Sequence, residues 1–293
     1  PTIFVGGGTP TYMPEALLER LFLELRALGA LSRANLEVTV EANPESASET
    51  KLTMLRQLGA TRVSLGVQSL FRDRLEAFDR VHSCDAARQA VANSRRAGIE
   101  NVNIDLIFSK PAEIREEWFA ELDLAAQLSP THMSCYDLAF EPRTFLAKQQ
   151  KMGFVAQQDE ATRLGIYEFT INSLADRGFQ LYEVSAFSLP GYECRHNMVY
   201  WSGGNWIGVG AGAGTSLDNQ SYLNVLSPDD YINKMRCHSN AIDAATLENK
   251  SASTRALELL MMGLRVQVGL RVSRLQAKTS PEIMLHLESA LDR

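Results

Sequence analysis

Short apolar segments that alternate with helical patterns constrain the fold of this chain more than any other feature. The strand-like segments of the first half are residues 3–5, 36–40, 62–67, 102–108 and 132–138. The helical patterns between them cover residues 15–28, 48–58, 71–78, 86–96 and 114–128. Because nearly continuous apolar strands in strand–helix repeats build a parallel sheet that is buried on both faces, the sequence predicts an α/β fold. The sequence has no dinucleotide-binding fingerprint, which favours a barrel-like (β/α) arrangement over an open sheet.

The pattern changes in the second half of the chain. A long helix is predicted over residues 160–177 and a further strand over 180–184; past about Ser227 the sequence becomes helical and loosely charged. We therefore predict two domains, an α/β barrel with an extension at 1–226 and a small helical module at 227–293. Both ends look cut, since the chain opens in a strand and stops inside a helical pattern at Leu291-Asp292-Arg293. We expect a fragment of a longer protein.

Composition narrows the class of protein. At 293 residues and 45% hydrophobic, the chain is long enough to bury a large core. A net charge of −6 provides no basic footprint for nucleic acid. Four cysteines without disulfide-like spacing indicate a reducing compartment, and we predict a cytoplasmic protein. The sequence contains no signal peptide and no apolar run long enough to span a bilayer.

The first predicted strand runs directly into Gly6-Gly7-Gly8-Thr9-Pro10. Glycines allow positive φ and let a ligand approach bare backbone N–H groups. Pro14 then precedes an amphipathic helical pattern. A strand, a glycine loop and a helix in this order can hold a small anionic group, but the loop can equally be a plain connection, and both interpretations stay open.

Three polar residues lie where apolar strands are predicted to end or inside them. Glu41 follows its predicted strand, Gln68 follows the next, and Asp105 lies within the apolar run of residues 102–108. Active sites of parallel barrels form at the carboxyl ends of the strands, so these side chains are candidates for a site. A carboxylate among apolar residues must be paired or hydrogen-bonded, and Arg80 is one possible partner. These groups suit a zwitterionic, hydroxyl-rich ligand. The alternative is that the Asp105 carboxylate has a purely structural role.

Five motifs in order resemble a known family. They are Gly6-Gly7-Gly8-Thr9-Pro10, Glu41-Ala42-Asn43-Pro44, Ser64-Leu65-Gly66-Val67-Gln68-Ser69, Asn103-Ile104-Asp105-Leu106-Ile107, and Glu193-Cys194-Arg195-His196-Asn197 with Tyr200-Trp201. Their order and spacing are similar to those of radical SAM proteins related to oxygen-independent coproporphyrinogen III oxidase. The last motif and the Glu41-Ala42-Asn43-Pro44 motif look more like the haem chaperone (HemW-like) branch. The resemblance spans the chain from Thr2 to the helix near Leu264.

The resemblance implies a partial TIM-like (β/α) radical SAM barrel that lacks its first strand, followed by the start of the family's C-terminal helical domain. It also implies a site for S-adenosylmethionine. Gly7, Gly8 and Thr9 would hold the amino-acid end of this cofactor. The rest of the site would be lined by Glu41, Gln68, Arg80, Asp105 and Ala139.

By the same resemblance, His196 would be the haem ligand of the chaperone branch. Imidazole is a good iron ligand, and Tyr200 and Trp201 offer flat apolar surface for a porphyrin. If residues 194–201 form a helix, His196 and Tyr200 lie on one face with Trp201 close beside them. Without the resemblance, a surface or capping histidine is the favoured interpretation of His196.

The chain departs from the family in three places. The C-x-x-x-C-x-x-C motif that holds the family's 4Fe-4S cluster is absent, and we expect these cysteines upstream of Pro1. Ser109-Lys110-Pro111 replaces a glycine-leucine-proline turn, and Gly214 replaces a histidine or isoleucine beside the cofactor. As given, this chain has no ligand set for the cluster.

Three functions stay open at this point. The first is a haem chaperone that binds haem and S-adenosylmethionine and delivers haem to partner proteins. The second is an oxygen-independent coproporphyrinogen III oxidase, and the third is a (β/α) barrel enzyme that uses the glycine loop to bind a phosphorylated metabolite. A weak further option is a zinc site built from Cys194, His196, Cys237 and His238. We rank the chaperone first.

Overall fold

The computed structural model of the chain describes residues 1–78, 80, 83–141, 144–276, 281 and 284. The predicted turn at 141–144 includes two residues outside this set, Pro142 and Arg143, and the predicted helical end at 291–293 also lies outside it. The chain divides into two compact units, Pro1–Glu193 and Cys194–Arg293.

The first unit is built from strand–helix repeats. Its strands are β1 (Thr2–Val5), β2 (Glu37–Ala42), β3 (Arg62–Gln68), β4 (Asn101–Phe108), β5 (His132–Asp137), β6 (Gln180–Glu183) and β7 (Ala186–Ser188). Its helices are α1 (Glu15–Ala27), α2 (Glu49–Leu58), α3 (Arg72–Ala77), α4 (Cys84–Arg96), α5 (Arg115–Gln127), α6 (Phe145–Lys151) and α7 (Glu160–Ala175). The five predicted strands and the helices between them are confirmed to within a few residues.

Within the described residues, these strands form one curled sheet in the order β1-β2-β3-β4-β5-β7-β6. Neighbours from β1 to β5 are parallel, as the repeats predict. The last two strands differ, because β7 is antiparallel to both β5 and β6. Only Val184 and Ser185 join β6 to β7, and so short a connection closes a hairpin and cannot carry a crossover helix.

One face of the sheet is apolar and packs against the helices. Val40, Leu65 and Ile104 on neighbouring strands are at most 1% exposed and belong to one core cluster with Phe22 of α1 and Leu122 of α5. Burying each such side chain contributes about 1.5–3 kcal/mol. This face supplies the hydrophobic core of the unit.

The opposite face carries polar side chains at every second position. We call it the polar face, and it includes Thr39, Glu41, Arg62, Ser64, Asn103, Asp105, His132 and Ser134. Side chains alternate between faces along a strand, so each of these strands contributes to both the core and the polar face. Both faces of the sheet are buried, as predicted. The prediction that the strands are apolar along nearly their whole length is wrong, because the residues on this face are polar.

The second unit combines short helices with a small sheet. Its elements are α8 (Arg195–Trp201), β8 (Gly214–Leu217), β9 (Gln220–Leu223), α9 (Pro228–Arg236), β10 (Glu248–Asn249), α10 (Ala252–Gly263) and α11 (Val272–Gln276). The described strands form an antiparallel sheet in the order β10-β9-β8. Pairing of β10 with β9 joins residues on both sides of position 226, which we predicted to be a domain boundary. The helical module at 227–293 stays a prediction as a domain, and α10 confirms the helix predicted over 254–264.

Candidate functional site

The glycine loop after β1 lies against the Glu41 carboxylate. The Gly7 N–H donates to Glu41 Oε2 at an N···O distance of 3.2 Å, and a Cβ on Gly6 would lie 2.8 Å from the same oxygen. Gly7 and Gly8 have φ values of 81° and 64°, a region that favours glycine. Glu41 is the penultimate residue of β2. The prediction that Glu41 follows its strand is therefore wrong, because the strand extends past it. Loop and carboxylate therefore form one unit.

Gln68 ends β3 in an unusual backbone conformation. Its φ is 63°, and the pairing register of β3 with β4 shifts between Leu65 and Gln68. Bulges and left-handed residues other than glycine concentrate at functional sites. A Cβ on Gly66 would lie 3.2 Å from Gln68 Nε2 and 3.1 Å from Asn43 Oδ1, so both amide side chains cover the bare backbone of Gly66.

Asp105 lies in β4 on the polar face and is half-buried. Its Oδ1 accepts a hydrogen bond of 2.8 Å from Asn103 Nδ2. Burial raises the pKa of Asp105, while hydrogen bonds from Asn103 and Ser134 and the charges of Arg62 and Arg80 oppose that rise. The carboxylate is thus a strong acceptor in a poorly hydrated place.

Glu41 and Asp105 influence each other electrostatically. Burial raises the pKa of Glu41, the Gly7 N–H lowers it, and the charge of Asp105 raises it further. The two carboxylates repel each other and share Arg62 as a counter-charge. A pocket of this kind favours a ligand with a cationic group over an anionic ligand. Because the Gly7 N–H already faces a carboxylate, the loop is poorly suited to be a phosphate nest.

A buried arginine supports the chain segments that follow β3 and β4. Arg74 is 2% exposed and forms ion pairs with Glu113 and with Glu121, the latter at 2.7 Å. Glu121 Oε2 also accepts from the Ser69 hydroxyl at 2.8 Å, and Glu113 Oε2 accepts from the Ser109 N–H at 2.7 Å. These bonds fix the first residue after each strand and hence the edge that carries the candidate site.

The remaining predicted residues lie at the same edge of the sheet. Gly8 and Thr9 belong to the loop after β1, and Ala139 is exposed two residues beyond β5. Arg80 is exposed and within electrostatic range of both Asp105 and Tyr12. The roles of all these residues as cofactor contacts stay predictions.

Three buried residues of the polar face were not predicted from the sequence: Arg62, Asn103 and His132. Burial and the charge of Arg62 hold the pKa of His132 well below its usual range, so this imidazole is neutral. Their sequence did indicate them, because polar residues alternate with apolar ones along β3, β4 and β5. We interpreted this alternation as a sign of a site only at Asp105.

The helix that carries His196 forms as predicted. The His196 and Tyr200 side chains lie one turn apart on α8, with Nε2 and the hydroxyl oxygen hydrogen-bonded at 2.8 Å. The aromatic neighbour of Tyr200 is Trp206, at a ring-centroid distance of 4.7 Å. The Trp201 ring instead contacts the Arg265 guanidinium at 5.7 Å. The predicted aromatic wall therefore includes Trp206, which the sequence did not single out.

Two of the three departures from the family pattern, at Ser109 and Gly214, have different structural settings. Ser109 is buried with a φ of 64°, a conformation that suits the glycine usual in the family, and its N–H bond to Glu113 helps to hold it there. Gly214 is the first residue of β8 and pairs with Leu223. A role for Gly214 beside a cofactor stays a prediction.

Neither a group of metal ligands nor a membrane-spanning helix is found in the described part of the chain. No group of three or more His, Cys, Asp or Glu side chains there has the arrangement of metal ligands, so the zinc option at Cys194, His196, Cys237 and His238 gains no support. No described helix is both long enough and apolar enough to cross a membrane.

Comparison with known proteins identifies the family of this chain. A family model described as the radical SAM superfamily matches residues 1–125. The heme chaperone HemW of Mycobacterium tuberculosis is 36% identical over 276 residues, which cover 94% of this chain and 70% of that protein. HemW of Escherichia coli is 35% identical over 212 residues, or 72% of this chain and 55% of that protein.

A solved structure confirms the fold. Coproporphyrinogen III oxidase (HemN) from Escherichia coli, described as a radical SAM enzyme, superposes with a TM-score of 0.77. The superposition covers 94% of this chain and 65% of that one, at 22% sequence identity. The sequence relatives and the shared fold together show that the chain belongs to the HemW heme chaperone family of the radical SAM superfamily.

Proposed function

We propose that this protein is a haem chaperone that binds S-adenosylmethionine on its sheet and carries haem on α8 for delivery to partner proteins. The observation that carries the proposal is the cluster at α8. His196 is hydrogen-bonded to Tyr200, and the Tyr200 ring packs edge-to-face against Trp206. An imidazole beside two aromatic rings offers both an iron ligand and flat apolar surface.

The residues present fit S-adenosylmethionine. The cofactor supplies a cationic sulfonium and an amino-acid end, whose ammonium group matches the paired carboxylates Glu41 and Asp105. The open, left-handed glycines of the loop leave room for its approach, since a Cβ on Gly7 or Gly8 would meet no atom within 4 Å. In this assignment Glu41 binds the ammonium, Asp105 accepts from the amine or ribose hydroxyls, and Gln68 supplies an amide to the same edge.

The residues present do not fit the 4Fe-4S cluster that membership of the superfamily implies. Cys135 and Cys194 are buried, Cys84 is half-buried and Cys237 is exposed, and no C-x-x-x-C-x-x-C run joins them. Cluster cysteines upstream of Pro1 stay a prediction, which the sequence of the parent gene tests directly.

Haem binding at His196 requires a change in its hydrogen bonding if Nε2 is the iron ligand. That nitrogen is now bonded to the Tyr200 hydroxyl, so Tyr200 must release it when iron binds. Burial raises the pKa of Tyr200, which keeps the hydroxyl protonated and makes it a weak competitor for iron. The same ring then remains as apolar surface beside the haem.

The chaperone function is better supported than the two alternatives. The relatives that share a third of the sequence are named heme chaperones, whereas the oxidase shares the fold at 22% identity. The carboxylates at the glycine loop disfavour a phosphorylated metabolite. The haem-receiving partners and a cytoplasmic location stay predictions.

The proposal is tested by haem titration of the full-length protein, followed by the Soret band. We expect His196→Ala to weaken haem binding by more than about tenfold, because it removes the axial nitrogen. His238→Asn is the matched control, since His238 is an exposed histidine of the same unit in a left-handed conformation that asparagine tolerates. An unchanged Soret band in His196→Ala contradicts the assignment, and coproporphyrinogen turnover by the cluster-loaded protein supports the oxidase instead.

A further inference from the structure

A continuous chain of hydrogen bonds crosses the polar face and ends at Asp105. The Tyr182 hydroxyl lies 2.7 Å from His132 Nε2, and His132 Nδ1 lies 2.6 Å from Asn103 Oδ1. Asn103 Nδ2 then donates to Asp105 Oδ1 at 2.8 Å. His132 and Asn103 are at most 1% exposed, so the middle of this chain is shielded from solvent, while Tyr182 and Asp105 at its ends are half-buried.

The chemistry of the partners fixes the direction of every hydrogen bond. A carboxylate oxygen can only accept, so the Asn103 atom that faces Asp105 is the NH2 group, which also donates to Ser64 Oγ at 2.7 Å. Asn103 Oδ1 consequently faces His132 and accepts from it; the same oxygen lies 3.2 Å from Ser134 Oγ, whose single proton can go either to it or to Asp105. His132 must therefore carry its proton on Nδ1.

The other side of the imidazole follows from its charge. Burial and the nearby Arg62 keep His132 neutral, so Nε2 has a lone pair and accepts from the Tyr182 hydroxyl. Each donor along the chain thus points toward Asp105. The chain begins on β6 and passes through β5 to β4, so it joins the antiparallel hairpin to the candidate site.

We propose that Tyr182, His132 and Asn103 are positioning residues that orient the Asp105 carboxylate toward its ligand. The inference rests on the proposed cofactor site at Asp105. An Asn103 amide held in this orientation donates to Asp105 Oδ1 and stabilises the ionised carboxylate. The remaining lone pairs of the Asp105 carboxylate are then available to a ligand ammonium or hydroxyl. If the imidazole were removed, Asn103 could turn its oxygen toward Asp105 and repel it.

Other charged groups act on the same carboxylate and define the background of any test. Groups coupled to Asp105 through their charge are Glu41 on β2, Arg62 on β3, Arg80 after α3, and Cys135 and Tyr136 on β5, of which Cys135 lies on the apolar face of the sheet. Keeping all of them unchanged, and altering only His132 or Tyr182, isolates the contribution of the hydrogen-bond chain.

The first experiment measures S-adenosylmethionine affinity against pH by calorimetry in the full-length protein. His132→Leu removes the donor to Asn103, and we expect affinity at neutral pH to fall about fivefold to tenfold and its acidic limb to move to higher pH. His132→Gln keeps an amide donor at the same place and should restore both values toward the wild type. Equal behaviour of the two variants overturns the proposal.

The second measurement needs no ligand. Nitrogen-15 NMR of His132 should show a neutral ring protonated at Nδ1, with an Nε2 signal that changes in Tyr182→Phe. Tyr167→Phe is the matched control, because its hydroxyl donates to the Val184 carbonyl at 2.8 Å outside the chain of bonds. A ring protonated at Nε2 overturns the inference even if His132→Leu fails to fold.

The outcomes also separate this inference from the proposed function. If Asp105→Asn leaves the affinity for S-adenosylmethionine unchanged, the cofactor site itself is wrong and the positioning role falls with it. If Asp105→Asn weakens binding but His132→Leu leaves the affinity and pH profile unchanged, the site stands and the positioning role is wrong.

Discussion

The two candidate sites are built in different ways, although both are assigned to ligand binding. The candidate cofactor site lies on neighbouring parallel strands, and its edge is held by the buried ion pairs of Arg74. The His196 site lies on a seven-residue helix that has no buried residue. A site on a sheet is positioned by many long-range contacts, whereas a site on a short, half-buried helix depends more on its own few side chains. Substitutions of the residues that support the first site should therefore act on stability, whereas substitutions at the second site should act on ligand affinity alone.

The largest effect is expected from Arg74→Met. Removing the guanidinium leaves Glu113 and Glu121 buried without their counter-charge, which should lower the free energy of unfolding by about 3–5 kcal/mol. Arg72→Met is the matched control on the same helix, because the Arg72–Glu76 pair is largely exposed, and its effect should stay below about 0.5 kcal/mol. Urea denaturation followed by circular dichroism measures both. Similar midpoints for the two variants would contradict the role of Arg74.

Asp105→Asn should separate binding from stability. Loss of a charged hydrogen bond should weaken S-adenosylmethionine binding by about 1.5–3 kcal/mol. The pKa of Asp105 is raised in the folded state, so ionisation at neutral pH favours the unfolded chain, and the neutral amide should leave stability equal or higher. Calorimetric titration and thermal denaturation at neutral pH test both parts. Unfolding of the variant, with unchanged affinity per folded molecule, would show that Asp105 is structural.

His132 should make the first unit sensitive to mild acid. Its pKa is lowered in the folded state, so as pH falls below the ordinary histidine value of about 6.5 the unfolded chain takes up the proton first. The stability present above that pH is then lost as pH falls. Between about pH 7.5 and about pH 5.5 the wild type should lose about 1 kcal/mol more than His132→Gln. Parallel pH profiles of unfolding free energy in the two proteins would be evidence against a buried neutral imidazole.

The smallest effect is expected from Tyr200→Phe. Removing the hydroxyl frees Nε2 of His196 from a competing bond of about 1 kcal/mol, so haem affinity should rise by at most about fivefold. Tyr231→Phe is the control in the same unit, since its hydroxyl accepts from the Gly210 N–H. Haem titration compares the variants. A loss of haem affinity as large as that of His196→Ala would contradict the competing role of the Tyr200 hydroxyl.

The comparison of the two sites also explains what the sequence could predict. Strand and helix periodicity is local, so the repeats from β1 to β5, the α8 helix and the end-of-strand positions of Glu41 and Gln68 could be predicted closely. The β6–β7 hairpin, the bulge at Gln68 and the bonds from Tyr182 to Asp105 depend on register between distant segments. Periodicity does not encode register, and for the same reason Trp206 was missed as the neighbour of Tyr200.

The polar face shows a second limit. Asn103 was hidden because it lies between Val102 and Ile104, whereas Arg62 and His132 are the first residues of their strands, where a polar residue reads as the end of a loop. Only the alternation, counted strand by strand, distinguishes a sheet with one polar face from one that is apolar on both faces.

The most direct test of the account is a crossed binding measurement in the full-length protein. Haem affinity and S-adenosylmethionine affinity are each measured for the wild type, His196→Ala and Asp105→Asn. We predict that His196→Ala loses haem and keeps S-adenosylmethionine, while Asp105→Asn loses S-adenosylmethionine and keeps haem. Loss of both ligands in either variant, or retention of haem in His196→Ala, would contradict the assignment of the two ligands to two separate sites.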